Sequence, residues 1–168
     1  SIDTATLGPK TLTVTTTDGA GNARVLNRTY TVAVARPDAR IRRGAGPLAG
    51  DGIYNATGAG QTRAGSATRG HSVIYYASIQ NDAAFAETLR LRGAGSTPRF
   101  AVVYRDPAGA NITHQVTAGT YTTPTLASGG THRVTITVTV RNTPPFSGSL
   151  IRTLTATSTT HPAIKDTV

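Results

Sequence analysis

From residue 132 to residue 140 the chain alternates without a break. Val134, Ile136, Val138 and Val140 fall on one side, and Thr135, Thr137 and Thr139 on the other. A period of two belongs to a strand with one face buried and one face wet, and no helix satisfies it. Val and Thr are branched at Cβ, which suits a pleated surface. The same period recurs along the chain. Residues 10–17 place Leu12 and Val14 opposite Thr11, Thr13 and Thr15. Residues 25–34 place Tyr30, Val32 and Val34 on one face. Residues 71–79, 87–92 and 99–105 follow, with Leu89 and Leu91 against Arg90 and Arg92, and Phe100, Val102 and Tyr104 together. A short edge strand at 111–116 and closing strands at 149–158 and 163–168 complete the series.

The punctuation between these runs is turn chemistry. Asp18-Gly19-Ala20-Gly21-Asn22 joins the first two strands as a hairpin. Gln80-Asn81-Asp82 and Asp106-Pro107-Ala108-Gly109 are further turns, and Pro144-Pro145 ends the run at 140. Pro37 lacks an amide donor and holds Arg36 extended, so Arg36-Pro37-Asp38 marks a boundary. Residues 39–43 form a short strand after it. Residues 44–70 are rich in Gly, Ala, Ser and Thr and read as a long loop with one short strand, anchored by Ile53 and Tyr54. Seven or eight short strands at regular spacing predict an all-β antiparallel sandwich over 37–168, preceded by a hairpin over 1–36.

Two stretches carry a resemblance. Gly8-Pro9-Lys10-Thr11-Leu12-Thr13-Val14-Thr15, followed by Thr17-Asp18-Gly19-Ala20-Gly21-Asn22, resembles the last two strands of bacterial Ig-like repeats of the hyaline-repeat type. The strands that precede this hairpin in such repeats are missing here. The resemblance therefore implies that the chain begins inside a domain, as an incomplete Ig-like repeat. The second stretch is Tyr76-Ala77-Ser78-Ile79-Gln80-Asn81-Asp82, Leu89-Arg90-Leu91-Arg92-Gly93, Gly129-Gly130-Thr131-His132-Arg133-Val134 and Thr155-Ala156-Thr157-Ser158. It is similar to Ig-like modules of bacterial surface proteins related to cell-adhesion domains. Asp82-Ala83 stands where those modules carry a turn glycine, and Ser128 where they carry a proline. What the two resemblances imply is an extracellular or cell-surface setting in a bacterium and an Ig-like fold.

Composition narrows the function classes. Charged residues are 15% and hydrophobic residues 38%, which suits a folded domain better than a disordered tail. The chain has no Cys, so its stability rests on sheet packing rather than disulfides. No stretch has the length of a membrane span. The net charge is +9, almost all of it Arg, with Lys only at Lys10 and Lys165. The arginines are scattered, with one cluster at Arg40, Arg42 and Arg43. With aromatics at 5% and no nucleic-acid module visible, the basic surface implies loose attraction to anionic wall polymers or polysaccharide, without specific nucleic-acid binding.

Catalytic and cofactor patterns fail on inspection. Gly44-Ala45-Gly46-Pro47-Leu48-Ala49-Gly50 has the wrong spacing and no following helix for a dinucleotide. Gly60-Gln61-Thr62-Arg63-Ala64-Gly65-Ser66 lacks a phosphate-loop lysine. His71, His114, His132 and His161 form no ligand pair. Asp51 and Asn81-Asp82 are too dispersed for a calcium loop. An isopeptide crosslink has only Lys10 or Lys165 as its amine. Tyr75 and Tyr76 point to opposite faces and form no sugar-stacking platform. No catalytic residue and no cofactor is expected.

The remaining expectation is a structural or adhesive module. Leu12, Val14, Tyr30, Val32 and Val34 are its candidate partner-contact residues. Its partners are neighbouring Ig-like domains or copies of itself, and strand addition between copies builds a filament. The alternative is a carbohydrate-binding or accessory domain of a secreted enzyme.

Overall fold

The computed structural model describes residues 2–142 and 148–168. The predicted break at Pro144-Pro145 lies outside the described residues. The chain divides into two compact units, Ser1–Val34 and Ala35–Val168.

The first unit is one antiparallel hairpin of β1 (Gly8–Thr17) and β2 (Ala23–Val32), paired from Gly8↔Val32 to Thr17↔Ala23. Asp18 builds its turn. One carboxylate oxygen accepts the amides of Ala20 and Asn22, and the other accepts the Asn22 side chain, each at 2.9 Å. This is the local bonding that makes Asp a turn residue. At the open end, the Tyr30 hydroxyl accepts the Asp3 amide and donates to the Asp3 carbonyl, both at 2.9 Å.

The second unit is all-β, with two antiparallel sheets packed face to face. One has the order β3 (Pro37–Arg43), β4 (Ser72–Asn81), β8 (Thr131–Val140), β6 (Phe100–Arg105). The other has the order β10 (Lys165–Thr167), β9 (Leu154–Ser158), β5 (Leu89–Gly93), β7 (Tyr121–Thr122). Pro37 opens an edge strand, where a missing donor is tolerated. Alternation then fills the space between the layers. Ala77, Ile79, Val134 and Ile136 of the first sheet meet Leu89, Leu91, Leu154 and Ala156 of the second, all buried in one core. Tyr104 is also buried, and its hydroxyl donates to the Ala94 carbonyl at 2.9 Å.

Three segments differ from the sequence reading. The strand expected at 111–116 is the helix α1 (Thr113–Ala118). Ile112 stands at its start, and the side-chain oxygen of the preceding Asn111 accepts the Thr113 amide at 3.0 Å and hydroxyl at 2.6 Å. The apolar residues here, Ile112 and Val116, are four apart, which is helical spacing, and both are buried. The strand expected at 149–158 starts only at Leu154. Before it, Arg152 turns its Nε to the Gly95 carbonyl at 3.0 Å, and no ladder forms. Within 44–70 no strand forms; Ala49 makes one bridge to Ile41. Ile53 and Tyr54 are partly exposed, and the polar residues Asn55 and Gln61 hold the segment instead.

Candidate functional site

The two sheets of the second unit are unequal. β4 and β8 have ten residues each, whereas β5 and β9 have five. At about 3.3 Å per residue, the longer pair extends some 15 Å or more beyond its cover. The overhanging inner face carries Val73, Tyr75, Val138 and Val140, flanked by Phe100 of β6. Two irregular segments cover it, residues 61–67 and 148–153. Leu150 packs against the core while Ile151 is exposed, and a cavity of about 750 Å³ remains between the layers.

The wall at 61–67 is held by buried polar chemistry. The Asp166 carboxylate accepts the Ala39 amide at 2.7 Å, the Asn55 amide at 2.8 Å and the Gln61 side-chain amide at 2.8 Å. Asp166 and Gln61 are both fully buried. Gly50 makes room for this cluster. A Cβ there would lie 2.7 Å from the Ala39 carbonyl oxygen and 2.6 Å from Gln61 Oε1, and its φ is +104°. Beyond Gln61 the backbone comes down onto the floor. A Cβ on Gly65 would lie 2.5 Å from the Tyr75 hydroxyl and 2.8 Å from a Val73 methyl.

Four arginines line the cavity, Arg63, Arg99, Arg141 and Arg152, and no Asp or Glu side chain does among the described residues. Arg63 donates to the Pro47 carbonyl at 3.2 Å, and Arg152 to the Gly95 and Ile151 carbonyls at 3.0 Å. These acceptors are neutral, so they position the guanidinium groups without cancelling their charge.

Other polar groups lie outside the cavity. Asp38 is buried, and its Oδ1 has no hydrogen-bond partner. Burial pushes its carboxyl up to about 6, helped by the charges of Asp82 and Asp166 and opposed by the Gly52 amide and Arg40. Arg40 itself bonds Asp51 at 2.8 Å. The Tyr54 hydroxyl donates to Asp82 at 2.7 Å under the Arg36 guanidinium, and burial pushes it up to about 12. His132 is buried on the inner side of β8 with Nε2 2.9 Å from the Tyr121 hydroxyl, and burial lowers its pKa against the pull of Asp106. No cluster of three or more His, Asp or Glu suited to a metal ion occurs among the described residues. No helix among them is long and apolar enough to cross a membrane.

The residues singled out in the sequence lie mainly on one hairpin face. The register places Leu12 opposite Arg28 and Val14 opposite Leu26, with Tyr30 and Val32 further along the same side. Val34 lies past the end of β2 and is exposed. Leu26 was not singled out, although its even spacing from Tyr30 and Val32 places it on this face. The other face is mostly polar, with Thr11, Thr13, Thr15, Asn27, Thr29 and Thr31, but it also carries the exposed Val25 opposite Thr15. Tyr75 and Tyr76 do take opposite sides of β4. Tyr75 lines the cavity, and Tyr76 lies under the guanidinium groups of Arg42 and Arg133. Nothing in the sequence groups the cavity arginines, because residues 63, 99, 141 and 152 come to line one cavity only through the fold. Comparison of the chain with protein families, with curated proteins and with solved structures gives no match.

Proposed function

We propose that this chain is a non-catalytic structural or adhesive module of a bacterial cell-surface or secreted protein, built on an Ig-like sandwich and assembling with copies of itself through its hairpin. The sheet order supports the Ig-like part. With the two-residue β7 set aside, the seven strands of the second unit run first-second-fifth-fourth in one sheet and third-sixth-seventh in the other. That is the arrangement of a constant-type immunoglobulin sandwich.

The observation that carries the assembly is the apolar side of the hairpin. Val14 is 44% exposed and Leu26 46% exposed, side by side on a ribbon of only two strands. Such a ribbon is marginal by itself, and each strand has a free edge of backbone donors and acceptors. Strand addition from a second copy satisfies an edge, and face-to-face packing of the ribbons so joined covers Val14 and Leu26. A head-to-tail contact of this kind leads to a ring or an open filament. The carbohydrate-binding alternative has less support, since Tyr76 is the one tyrosine on the outer face of β4 and two arginines already sit over it.

Sedimentation of the full chain over a range of concentrations tests the assembly. The expected result is association that grows with concentration and is lost in a Val14→Lys, Leu26→Lys double variant with an unchanged strand spectrum. A chain that stays monomeric at the highest concentration overturns it.

A further inference from the structure

We infer that the cavity between the sheets of the second unit binds a single-chain anionic amphiphile, an aliphatic tail bearing an acidic head group. The site uses none of the hairpin residues on which the assembly reading rests.

The floor suits the tail. Val73, Tyr75, Phe100, Val138 and Val140 are each only partly buried, and they face a space of about 750 Å³. Their exposure follows from the length mismatch between β4/β8 and β5/β9, so it is built into the sheet order. The volume falls within the range of about 300–1,000 Å³ typical of small-molecule sites. Apolar surface left against water is unfavourable, and a tail laid on it removes that cost.

The rim suits the head. Four arginines but no Asp or Glu side chain are among the described residues of the lining, although the chain has 8 Asp and Glu residues. Arg63 and Arg152 are braced on carbonyl oxygens and keep their full charge. A planar guanidinium takes a carboxylate or phosphate with paired hydrogen bonds, so the charge selects for an anion. A cationic or uncharged amphiphile meets the same floor without the rim.

Titration calorimetry of the full chain with dodecanoate and dodecyl phosphate, each below its micelle concentration, tests the site. Dodecylammonium is the probe of opposite charge. One bound anionic molecule per chain is expected, with dodecylammonium at least tenfold weaker. An Arg99→Glu, Arg141→Glu variant changes two exposed side chains and is expected to lower anion affinity at least tenfold. An Arg24→Glu, Arg28→Glu variant makes the same charge change on the hairpin and is expected to leave it unaltered. Methyl resonances of Val73, Val138 and Val140 should move on saturation, while that of Val134, in the closed half of the core, stays. Absence of binding, equal binding of dodecylammonium, or loss of binding in the hairpin variant rather than the cavity variant overturns the inference.

Discussion

The carboxylate of Asp166, on β10 of one sheet, accepts the backbone amide of Ala39, on β3 of the other, at 2.7 Å. The two residues are 127 positions apart. The bond clasps the layers together at their edges, and the same carboxylate holds Asn55 and Gln61. Replacing Asp166 by Ala leaves the buried Ala39 and Gln61 donors without their acceptor. A loss of roughly 3 kcal/mol or more is expected, because each orphaned buried donor costs about 1–3 kcal/mol. Urea unfolding checks it through a lower midpoint at an unchanged slope.

Asp38 adds a pH dependence of unusual sign. Burial raises its folded pKa from 3.8 to about 6. Between those values the folded chain holds a proton that the unfolded chain releases, so stability falls as pH rises through the window. Asp38→Asn removes this contribution. Stability measured from pH 4 to pH 6.5 should decline less steeply with rising pH in the variant than in the parent. Parallel curves for the two proteins would show that Asp38 titrates at its ordinary value.

Gly50 is the tightest point of the clasp. Gly50→Ala puts a Cβ against the Ala39 carbonyl oxygen and onto a backbone conformation disfavoured for L residues. The expected cost is about 2 kcal/mol or more, from strain and contact together. Thermal unfolding reads it as a lower Tm with the strand spectrum retained.

The net charge of +9 leads to a further expectation. Binding to a flexible polyanion such as polyglutamate should weaken steeply between low and physiological salt, through screening and counterion release. Affinity held at high salt would point to a shaped polymer site instead.

The sheets were legible wherever apolar residues alternate with polar ones along a strand. β8 alternates over ten residues, and its predicted inner set, Val134 to Val140, is the inner set observed. Legibility failed where periods overlap. Ile112 and Val116 fit a strand of alternating residues and a helix turn alike, and in the fold both are buried from one helix turn beside the Asn111–Thr113 bonds. It failed again where a residue's role is set at a distance. Asp166, Asn55 and Gln61 look like ordinary polar residues in sequence. Only the closing of one sheet on the other buries Asp166 and Gln61 and joins Asn55 to them. The cavity belongs to the same category, since it arises from the difference in length between strands far apart in the chain.

The pairing of β4 with β8 also bears on how quickly the chain can fold. Gln80 pairs with Thr131 and Ser72 with Thr139, so the central ladder closes a loop of more than fifty residues at its nearest point. No turn brings these strands together, and the entropy of that closure is lost before any of the ladder's bonds form. Topologies dominated by such distant pairings fold in milliseconds to seconds rather than microseconds. The clasp at Asp166 depends on β10 reaching β3, a still longer excursion. The glycine-rich wall should therefore be the last part to acquire protection from hydrogen exchange during refolding, well after β4 and β8.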